Sequence, residues 1–324
     1  MKALDQLKKN LRKSRVYLSG GLQSLLPAGY LSHRLPAILE ELEQLPDEER
    51  QELLARVDYY NKLQAPFELP PEAEANRDYR RGDKSFSYFM DFKQLVRYFP
   101  AEVRFNYLFG DITHVPDVPC FLKSRPISSG SDNQNSILLK LNQIRHYYMV
   151  RDELAFEEKE DRLIWRGKTV NDDRMDLVKT YYNHPKMDIG DTHRQSRGEY
   201  YAKPFVSVPD QLRFKYILSV EGIDVATNLK WIMASNSLCF MRPPRFETWF
   251  MEGRLEPGRH YVALKDDFSD MEEKVDYFNR HPDQARAIVA EANRHVAQFQ
   301  DARRERLIAL LVMDKYFRLS GQID

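Results

Sequence analysis

The stretch from Leu212 to Met241 constrains the fold of this chain more than any other. Its first part, Phe214 to Val220, is a short apolar run rich in aromatic and β-branched residues, which is typical of a buried strand. Glu221 and Gly222 end that run, and apolar residues then recur at helical spacing. A second apolar run, Leu238 to Met241, completes a β-turn-α-β unit, whose connection we expect to be a right-handed parallel crossover. The sequence therefore predicts an α/β fold.

The turn inside this unit predicts an anion site. Asp224 and Thr227 provide side-chain oxygens that can cap the helix after Gly222. The start of a helix presents unpaired backbone N–H groups and the positive end of the helix dipole. We therefore expect a phosphorylated ligand to bind at this turn.

Composition limits the classes of protein to which such a site could belong. The chain has 324 residues, which suits two domains of ordinary size. Its 49 basic residues balance 49 acidic ones, so we expect no nucleic-acid partner. The two cysteines, Cys120 and Cys239, form neither a disulfide framework nor a metal motif. No run approaches the roughly 18 apolar residues of a membrane span, and a cytoplasmic protein is expected.

The N-terminal 75 residues are predicted to form a helical extension. The segment from Lys2 to Arg15 contains six basic residues and one acidic residue, Asp5, with apolar residues between them. This pattern fits either a basic helix at residues 1–18 that lies on an anionic inner-membrane face or a leader helix packed on the protein. A proline-rich stretch at 66–71 is typical of a linker and ends the extension.

A candidate catalytic loop follows a predicted strand in the first half of the chain. Val103 to Phe109 is rich in aromatic and β-branched residues, and Asp111 comes directly after it. Open α/β sheets bind their ligands beyond the carboxyl ends of strands, so Asp111 is the candidate general base. His114 and Asp117 in the same loop compete for that role, and Asp111 could also simply cap the next turn.

Two further helical regions are predicted from apolar spacing. Residues 133–150 show that spacing and predict one long helix. After the last predicted strand, His260 to Leu264, the chain is predicted to be helical to its end.

Three cations cluster where a predicted strand gives way to a predicted helix. Arg166 and Lys168 follow Trp165, and Arg174 lies near the start of a helix that begins at about residue 172. Arginine can bind phosphate oxygens through two hydrogen bonds and lysine adds a point charge, so the cluster could hold a diphosphate. Ion pairs with the neighbouring aspartates explain the pattern equally well.

Several motifs, in order, resemble those of the CAP10-like glycosyltransferases, glycosyltransferase family 90. The motifs are WRGK, NHPKMDIG, FKYILSVEG, NLKWIMASNSLCFM, ETWF and HYVALKDDFSDMEEKV, and the resemblance spans roughly Val103 to Phe299. Within the family the chain looks most like bacterial lipopolysaccharide-core transferases, with protein O-glucosyltransferases more distant.

The resemblance implies a GT-B architecture, in which two Rossmann-like domains face a cleft. An N-terminal acceptor domain would comprise residues 76–152 and be completed by a C-terminal helix at 301–324, so we expect Leu307 to Met313 to pack near the N-terminal half. A donor domain would comprise residues 153–300. The resemblance further implies a UDP-sugar donor, inversion at the sugar carbon, no cofactor and no obligatory metal.

The family's functional residues can be carried onto matching positions. Asp111 matches the catalytic aspartate, but the family's Asp-aromatic-Pro becomes DITHVP here, which keeps His114 and Asp117 as alternatives. The implied donor-binding residues are Arg166, Gly167, Lys168, Thr169, Arg174, Gly222, Asp224, Thr227, Asn228 and Lys230. Many relatives carry an arginine where this chain has Asn228, so Lys230 or backbone amides would have to replace that contact. Glu247, in the ETWF stretch that is predicted to be helical, is a candidate ligand of the nucleotide ribose, and a surface role is the alternative.

These observations predict an inverting glycosyltransferase with Asp111 as general base. It would move glucose or galactose from a UDP-sugar to a sugar hydroxyl of a lipid-linked lipopolysaccharide core, at the cytoplasmic face of the inner membrane. A protein or capsule acceptor is one alternative, and a non-catalytic nucleotide-sugar-binding or membrane-tethering module is another. The sequence contains no G-x-x-x-x-G-K-[ST] motif that would favour a kinase.

Overall fold

The computed structural model describes residues 28–324, which divide into two compact units. Unit 1 contains the residues up to Arg145 together with Phe246–Trp249 and Phe299–Asp324. Unit 2 contains His146–Arg245 and Phe250–Gln298. The basic segment 1–18 lies outside the described residues. Within residues 28–324, no helix has both the length and the apolar character needed to cross a membrane.

Helices and strands alternate between residues 143 and 241, whereas several helices or several strands follow one another elsewhere in the described chain. The helices are α1 (Ala28–Ser32), α2 (Leu35–Leu39), α3 (Asp47–Tyr60), α4 (Phe86–Val96), α5 (Gln143–His146), α6 (Asp172–Tyr181), α7 (Val208–Gln211), α8 (Leu229–Met233), α9 (Met271–Arg280), α10 (Pro282–Ala297) and α11 (Ala302–Leu319). The strands are β1 (Glu74–Ala75), β2 (Arg104–Phe105), β3 (Tyr107–Leu108), β4 (Cys120–Leu122), β5 (Ser124–Pro126), β6 (Ser136–Leu138), β7 (Glu160–Gly167), β8 (Met187–Asp191), β9 (Phe214–Ser219), β10 (Leu238–Met241), β11 (Phe246–Thr248) and β12 (Val262–Ala263). The mixed α/β class is as predicted.

Unit 2 is built on a parallel sheet of five strands in the order β12-β10-β9-β7-β8. β8 lies on one side of β7, whereas the later strands lie on the other side. The strand order therefore reverses between β7 and β9. In flavodoxin-like sheets, which share this order, ligands bind in the crevice beyond the carboxyl ends of the two strands at the reversal.

The predicted β-turn-α-β unit is present, but its helix is shorter than predicted. β9 and β10 pair in parallel, with Tyr216 opposite Leu238. The helix between them, α8, begins at Leu229 and has five residues, all of them buried. Its N-cap residue, Asn228, makes no side-chain capping hydrogen bond. Packing rather than capping fixes this helix, and the prediction that a helix start follows Gly222 is wrong.

Unit 1 contains a parallel sheet of three strands in the order β3-β4-β6 and two antiparallel pairs, β1-β2 and β5-β11. The predicted long helix at 133–150 is wrong. Ile137 and Leu138 belong to strand β6, and both are fully buried, as is Leu139. A continuous apolar run of this kind is typical of a buried parallel strand, which explains why its spacing also fitted a helix.

Buried charges connect distant segments of unit 1. Glu305 of α11 accepts hydrogen bonds from Arg56 of α3 at 2.6 Å, from Lys140 at 2.8 Å and from the indole of Trp249 at 2.7 Å. An isolated carboxylate would be unstable in this environment, so the three donors stabilise it together. They also hold α11 against α3, as predicted for the segment around Leu307.

Asp91 of α4 is a buried carboxylate that accepts a hydrogen bond from the backbone N–H of Gln143 at 2.8 Å. Burial raises the pKa of Asp91 to about 7, although backbone hydrogen bonds from Gln143 and Asn142 oppose that effect. Between about pH 4 and about pH 7 the folded state therefore binds one proton more than the unfolded state. The contribution of this carboxyl group to stability is lost as the pH rises through that window.

We predict that Asp91→Asn removes this pH dependence. The free energy of unfolding of the variant, relative to the parent, should rise between about pH 4 and pH 7 by up to about 1.4 kcal/mol per pH unit. Urea unfolding at several pH values measures this difference, with the exposed Asp78→Asn as the control. A difference that is the same at every pH would contradict the assignment.

Candidate functional site

Two loops converge at the carboxyl edge of the unit 2 sheet, where the strand order reverses. Arg174, in the first turn of α6, connects them. Its guanidinium donates to the carbonyls of Lys168 at 2.9 Å, Val220 at 2.6 Å and Glu221 at 3.0 Å. The same group lies over the ring of Trp165, 5.5 Å from the ring centre. Arg174 therefore holds the loop after β7 to the loop after β9.

Asn171 reinforces this connection and was missed in the sequence. It is the N-cap residue of α6, where its Oδ1 accepts from the N–H of Arg174 at 3.1 Å. Its Nδ2 donates to the carbonyl of Gly222 at 2.9 Å in the other loop. The available signal was an asparagine immediately before the predicted helix start, a position that favours this residue type.

Gly167 is required by the close approach of the Trp165 ring. A Cβ atom at this position would lie 2.4 Å from a ring carbon of Trp165. Any larger residue would displace the ring on which Arg174 stacks. The glycine at the end of β7 therefore supports the position of the arginine.

Thr169 is held by Asp191 at the end of β8. The backbone N–H and the hydroxyl of Thr169 donate to the Asp191 carboxylate at 3.2 Å and 2.7 Å. Burial alone would raise the pKa of Asp191, but hydrogen bonds from Ser196, Thr169 and the backbone of His193 outweigh it and hold the pKa below its ordinary value. The Thr169 hydroxyl is therefore committed to the loop structure.

Unsatisfied donors remain at this edge of the sheet. Lys168 is exposed, and its Nζ has no hydrogen-bond or ion-pair partner among residues 28–324. In the same part of the chain, the backbone N–H groups of Gly222 and Ile223 donate to no protein atom. A cation and free amides at the reversal of strand order can bind an anion such as a diphosphate.

Two of the predicted donor-binding cations form ion pairs with carboxylates instead. The side chain of Arg166 is 5% exposed and pairs with Asp188 at 2.6 Å. Lys230 is fully buried and pairs with Glu252 at 2.5 Å. Both side chains are therefore engaged in ion pairs, whereas Lys168 forms none within residues 28–324.

The other predicted positions are also occupied by structural contacts. Asn228 donates to the carbonyl of Leu218 at 3.0 Å, Asp224 is buried, and Thr227 is half-buried. Glu247 lies in strand β11 of unit 1 and not in a helix or on the surface; it is buried against Arg125 at 2.7 Å and also accepts from the Tyr59 hydroxyl. We therefore do not assign Glu247 to ribose binding or Lys230 to the diphosphate.

Two arginines that were not predicted from the sequence lie just beyond β10. Arg242 pairs with Asp173 in the first turn of α6 and donates to the carbonyl of Asp266 at 3.1 Å. Arg245 is 56% exposed and pairs with Glu221 at 2.8 Å. Basic residues immediately after a buried strand were the signal that could have identified them.

Asp111 lies at the carboxyl edge of the unit 1 sheet. It follows β3, and Lys123 directly follows the neighbouring parallel strand β4, in which Leu122 lies opposite Leu108. The Lys123 Nζ donates to Asp111 Oδ1 at 2.5 Å. The lysine side chain is 2% exposed and that of the aspartate is 29% exposed. The carboxylate therefore contacts a buried cation and is also partly accessible to solvent.

His114 and Asp117, the alternatives to Asp111, are fully on the surface. Their side chains are exposed and make no polar contact with any residue in the range 28–324. Of the three candidates, Asp111 therefore has the fixed position that proton transfer in a reacting complex requires.

Comparison with known proteins shows the family to which the chain belongs. Glycosyl transferase family 90 matches residues 140–314. The O-glucosyltransferase LpsA of Dichelobacter nodosus is 47% identical over 307 residues, which cover 95% of this chain and 96% of that protein. Protein O-glucosyltransferase 3 of Homo sapiens is 28% identical over 139 residues, 41% of this chain and 27% of that protein. Protein O-glucosyltransferase 2 of Danio rerio is 29% identical over 141 residues, 41% of this chain and 28% of that protein.

The parallel sheets are compatible with the Rossmann-like fold of a glycosyltransferase. The chain belongs to glycosyl transferase family 90 and is a glycosyltransferase. The family predicted from the motifs is thereby confirmed, and the non-catalytic alternative is not retained.

Proposed function

We propose that this glycosyltransferase transfers glucose from UDP-glucose to a sugar hydroxyl of a lipid-linked oligosaccharide, with inversion at the anomeric carbon. The position of Asp111 carries the proposal, because Lys123 holds one carboxylate oxygen and the other is open to an acceptor. The name of the 47% identical relative, an O-glucosyltransferase, favours glucose over galactose.

The donor is proposed to bind at the carboxyl edge of the unit 2 sheet. Lys168 and the free N–H groups of Gly222 and Ile223 would contact the diphosphate, and Arg174 would keep the two loops together. Donors that are already fixed in place stabilise the charge that grows on the departing nucleotide. The GT-B arrangement, with an acceptor domain at 76–152 and 301–324 and a donor domain at 153–300, remains part of this proposal.

The proposed reaction is a single displacement. Asp111 accepts the proton of the acceptor hydroxyl through its open oxygen while the acceptor oxygen bonds to the anomeric carbon. The bond from that carbon to the β-phosphate oxygen breaks, UDP leaves, and the proton passes to solvent. The transition state is oxocarbenium-like, and general-base assistance contributes on the order of 100- to 10,000-fold. As the family resemblance implies, the proposed step uses no metal ion.

The lipopolysaccharide core is the proposed acceptor, reached from the cytoplasmic face of the inner membrane. The extent of the match to LpsA, 95% of this chain, favours it over the alternatives. A protein acceptor is the second candidate, since relatives named protein O-glucosyltransferases match 41% of the chain. Contact between residues 1–18 and anionic lipid is a further part of the proposal.

The acceptor can be tested in cells that lack this protein. We expect the mass of their surface glycolipid to fall by one hexose. The parent sequence should restore that mass, whereas Asp111→Asn should not. Mass spectrometry of purified glycolipid measures both results. An unchanged glycolipid would contradict the lipopolysaccharide proposal and favour the protein acceptor.

We predict that Asp111→Asn lowers kcat by about 100- to 10,000-fold, because the amide cannot accept the proton. UDP affinity should be retained, since Asp111 lies in unit 1 and the proposed nucleotide contacts lie in unit 2. UDP release from UDP-glucose measures turnover. His114→Ala and Asp117→Asn are the matched controls and should keep kcat within a few-fold of the parent. Near-normal turnover in Asp111→Asn would remove Asp111 from the role.

Arg174→Ala should weaken UDP binding by about 1.5–3 kcal/mol, because the two loops lose their connection and the diphosphate loses a charged neighbour. Lys168→Ala should weaken binding without lowering the melting temperature, since the exposed Lys168 ammonium forms no hydrogen bond or ion pair within residues 28–324. Calorimetry measures both affinities. Lys179→Ala, on the exposed face of α6, is the control. Unchanged affinity in both variants would place the donor elsewhere.

A further inference from the structure

We propose that Lys123 is a positioning residue for the general base: it holds one oxygen of Asp111 so that the other oxygen points to the acceptor hydroxyl. This inference rests on the proposed role of Asp111 in glycosyl transfer. Lys123 belongs to none of the motifs that resemble the family. Its proposed role follows from its contact with Asp111, which the fold creates.

The burial of Lys123 requires a compensating group. Its side chain is 2% exposed at the end of β4, whose three residues are all buried. An ammonium group so far from water is stable only beside a negative charge or several acceptors. The Asp111 carboxylate, 2.5 Å away, supplies the charge. A smaller or apolar residue would fill this place at lower cost, so the cation has a purpose other than packing.

The backbone on each side of Asp111 is fixed independently of Lys123. Gly110 has a φ of +129°, a backbone conformation that favours glycine, and its carbonyl accepts from the Tyr88 hydroxyl at 3.2 Å. The carbonyl of Ile112 accepts from the Ser124 hydroxyl at 3.3 Å. The freedom that remains is rotation of the Asp111 side chain, and the bond from Lys123 restricts that rotation.

The two carboxylate oxygens of Asp111 consequently differ. Oδ1 accepts from Lys123, whereas Oδ2 has no hydrogen-bond donor among residues 28–324. A carboxylate held in this way presents its second oxygen to an incoming hydroxyl in a defined orientation. Holding the reacting groups in the right geometry before the reaction lowers the barrier, and a misplacement of about 1 Å can cost about 100-fold in rate.

Lys123→Met is the primary test, because methionine has similar length and no charge. We expect kcat to fall by about 10- to 100-fold with unchanged UDP affinity and unchanged KM for UDP-glucose. Lys123→Gln keeps an N–H donor and should retain more of kcat than Lys123→Met. Melting temperatures of both variants establish that they fold. Parent-like kcat in Lys123→Met would overturn the proposal.

A double-mutant cycle separates positioning from a purely structural role. If Lys123 acts through Asp111, Lys123→Met should cause no further loss of kcat in the Asp111→Asn background. A structural role would lower the residual rate by the same factor in both backgrounds, and that result would overturn the inference. Parent-like turnover in Asp111→Asn alone would instead refute the proposed function, so the two failures are distinguishable.

Discussion

Parallel strand pairing determines where the candidate catalytic and donor-binding residues lie. Because parallel strands end at the same edge of a sheet, the pairing of β3 with β4 brings Asp111 and Lys123 together, although they follow different strands. The pairing of β7 with β9 brings the loop containing Lys168 beside the loop containing Gly222 in the same way. At the carboxyl edge of each sheet, polar residues from loops that are separate in the sequence thus come together.

The buried charges explain why cations were easy to recognise in the sequence and difficult to assign. Arg166 and Lys230 lie in the motifs that resemble the family, yet each pairs with a carboxylate 22 positions away in the sequence. A buried cation without such a partner would be strongly destabilising, so the fold takes up most of the charged residues near the core. A candidate ligand of an anion has to be a cation that the fold leaves unpaired, and sequence patterns do not reveal which one that is.

The sequence predicted the strands of unit 2 better than the helices that begin beside them. β9 and β10 and their parallel pairing agree with prediction, because apolar runs bounded by polar turns are a direct signal of buried strands. The start of α8 was misplaced because Asp224 and Thr227 resemble capping residues, whereas burial of Leu229 and its neighbours fixes the helix. Ordered motifs identified the family, and the position of Asp111 after a strand made it the candidate general base. Asn171 and Lys123 were missed because their roles depend on partners in other loops.

Two kinds of hydrogen-bond donor lie at the carboxyl edge of the unit 2 sheet: side chains that are bonded to loop carbonyls, and backbone N–H groups that are not bonded to protein within the described chain. Arg174 and Asn171 use their side chains to satisfy the carbonyls of the loop after β9, including those of Glu221 and Gly222. The N–H groups of Gly222 and Ile223 in the same loop, by contrast, donate to no protein atom within the described residues. Amides that need not reorganise stabilise a developing anionic charge better than mobile side chains do. The absence of an arginine at position 228 is therefore compatible with diphosphate binding, because rigid backbone donors can supply the contact that a guanidinium would otherwise make.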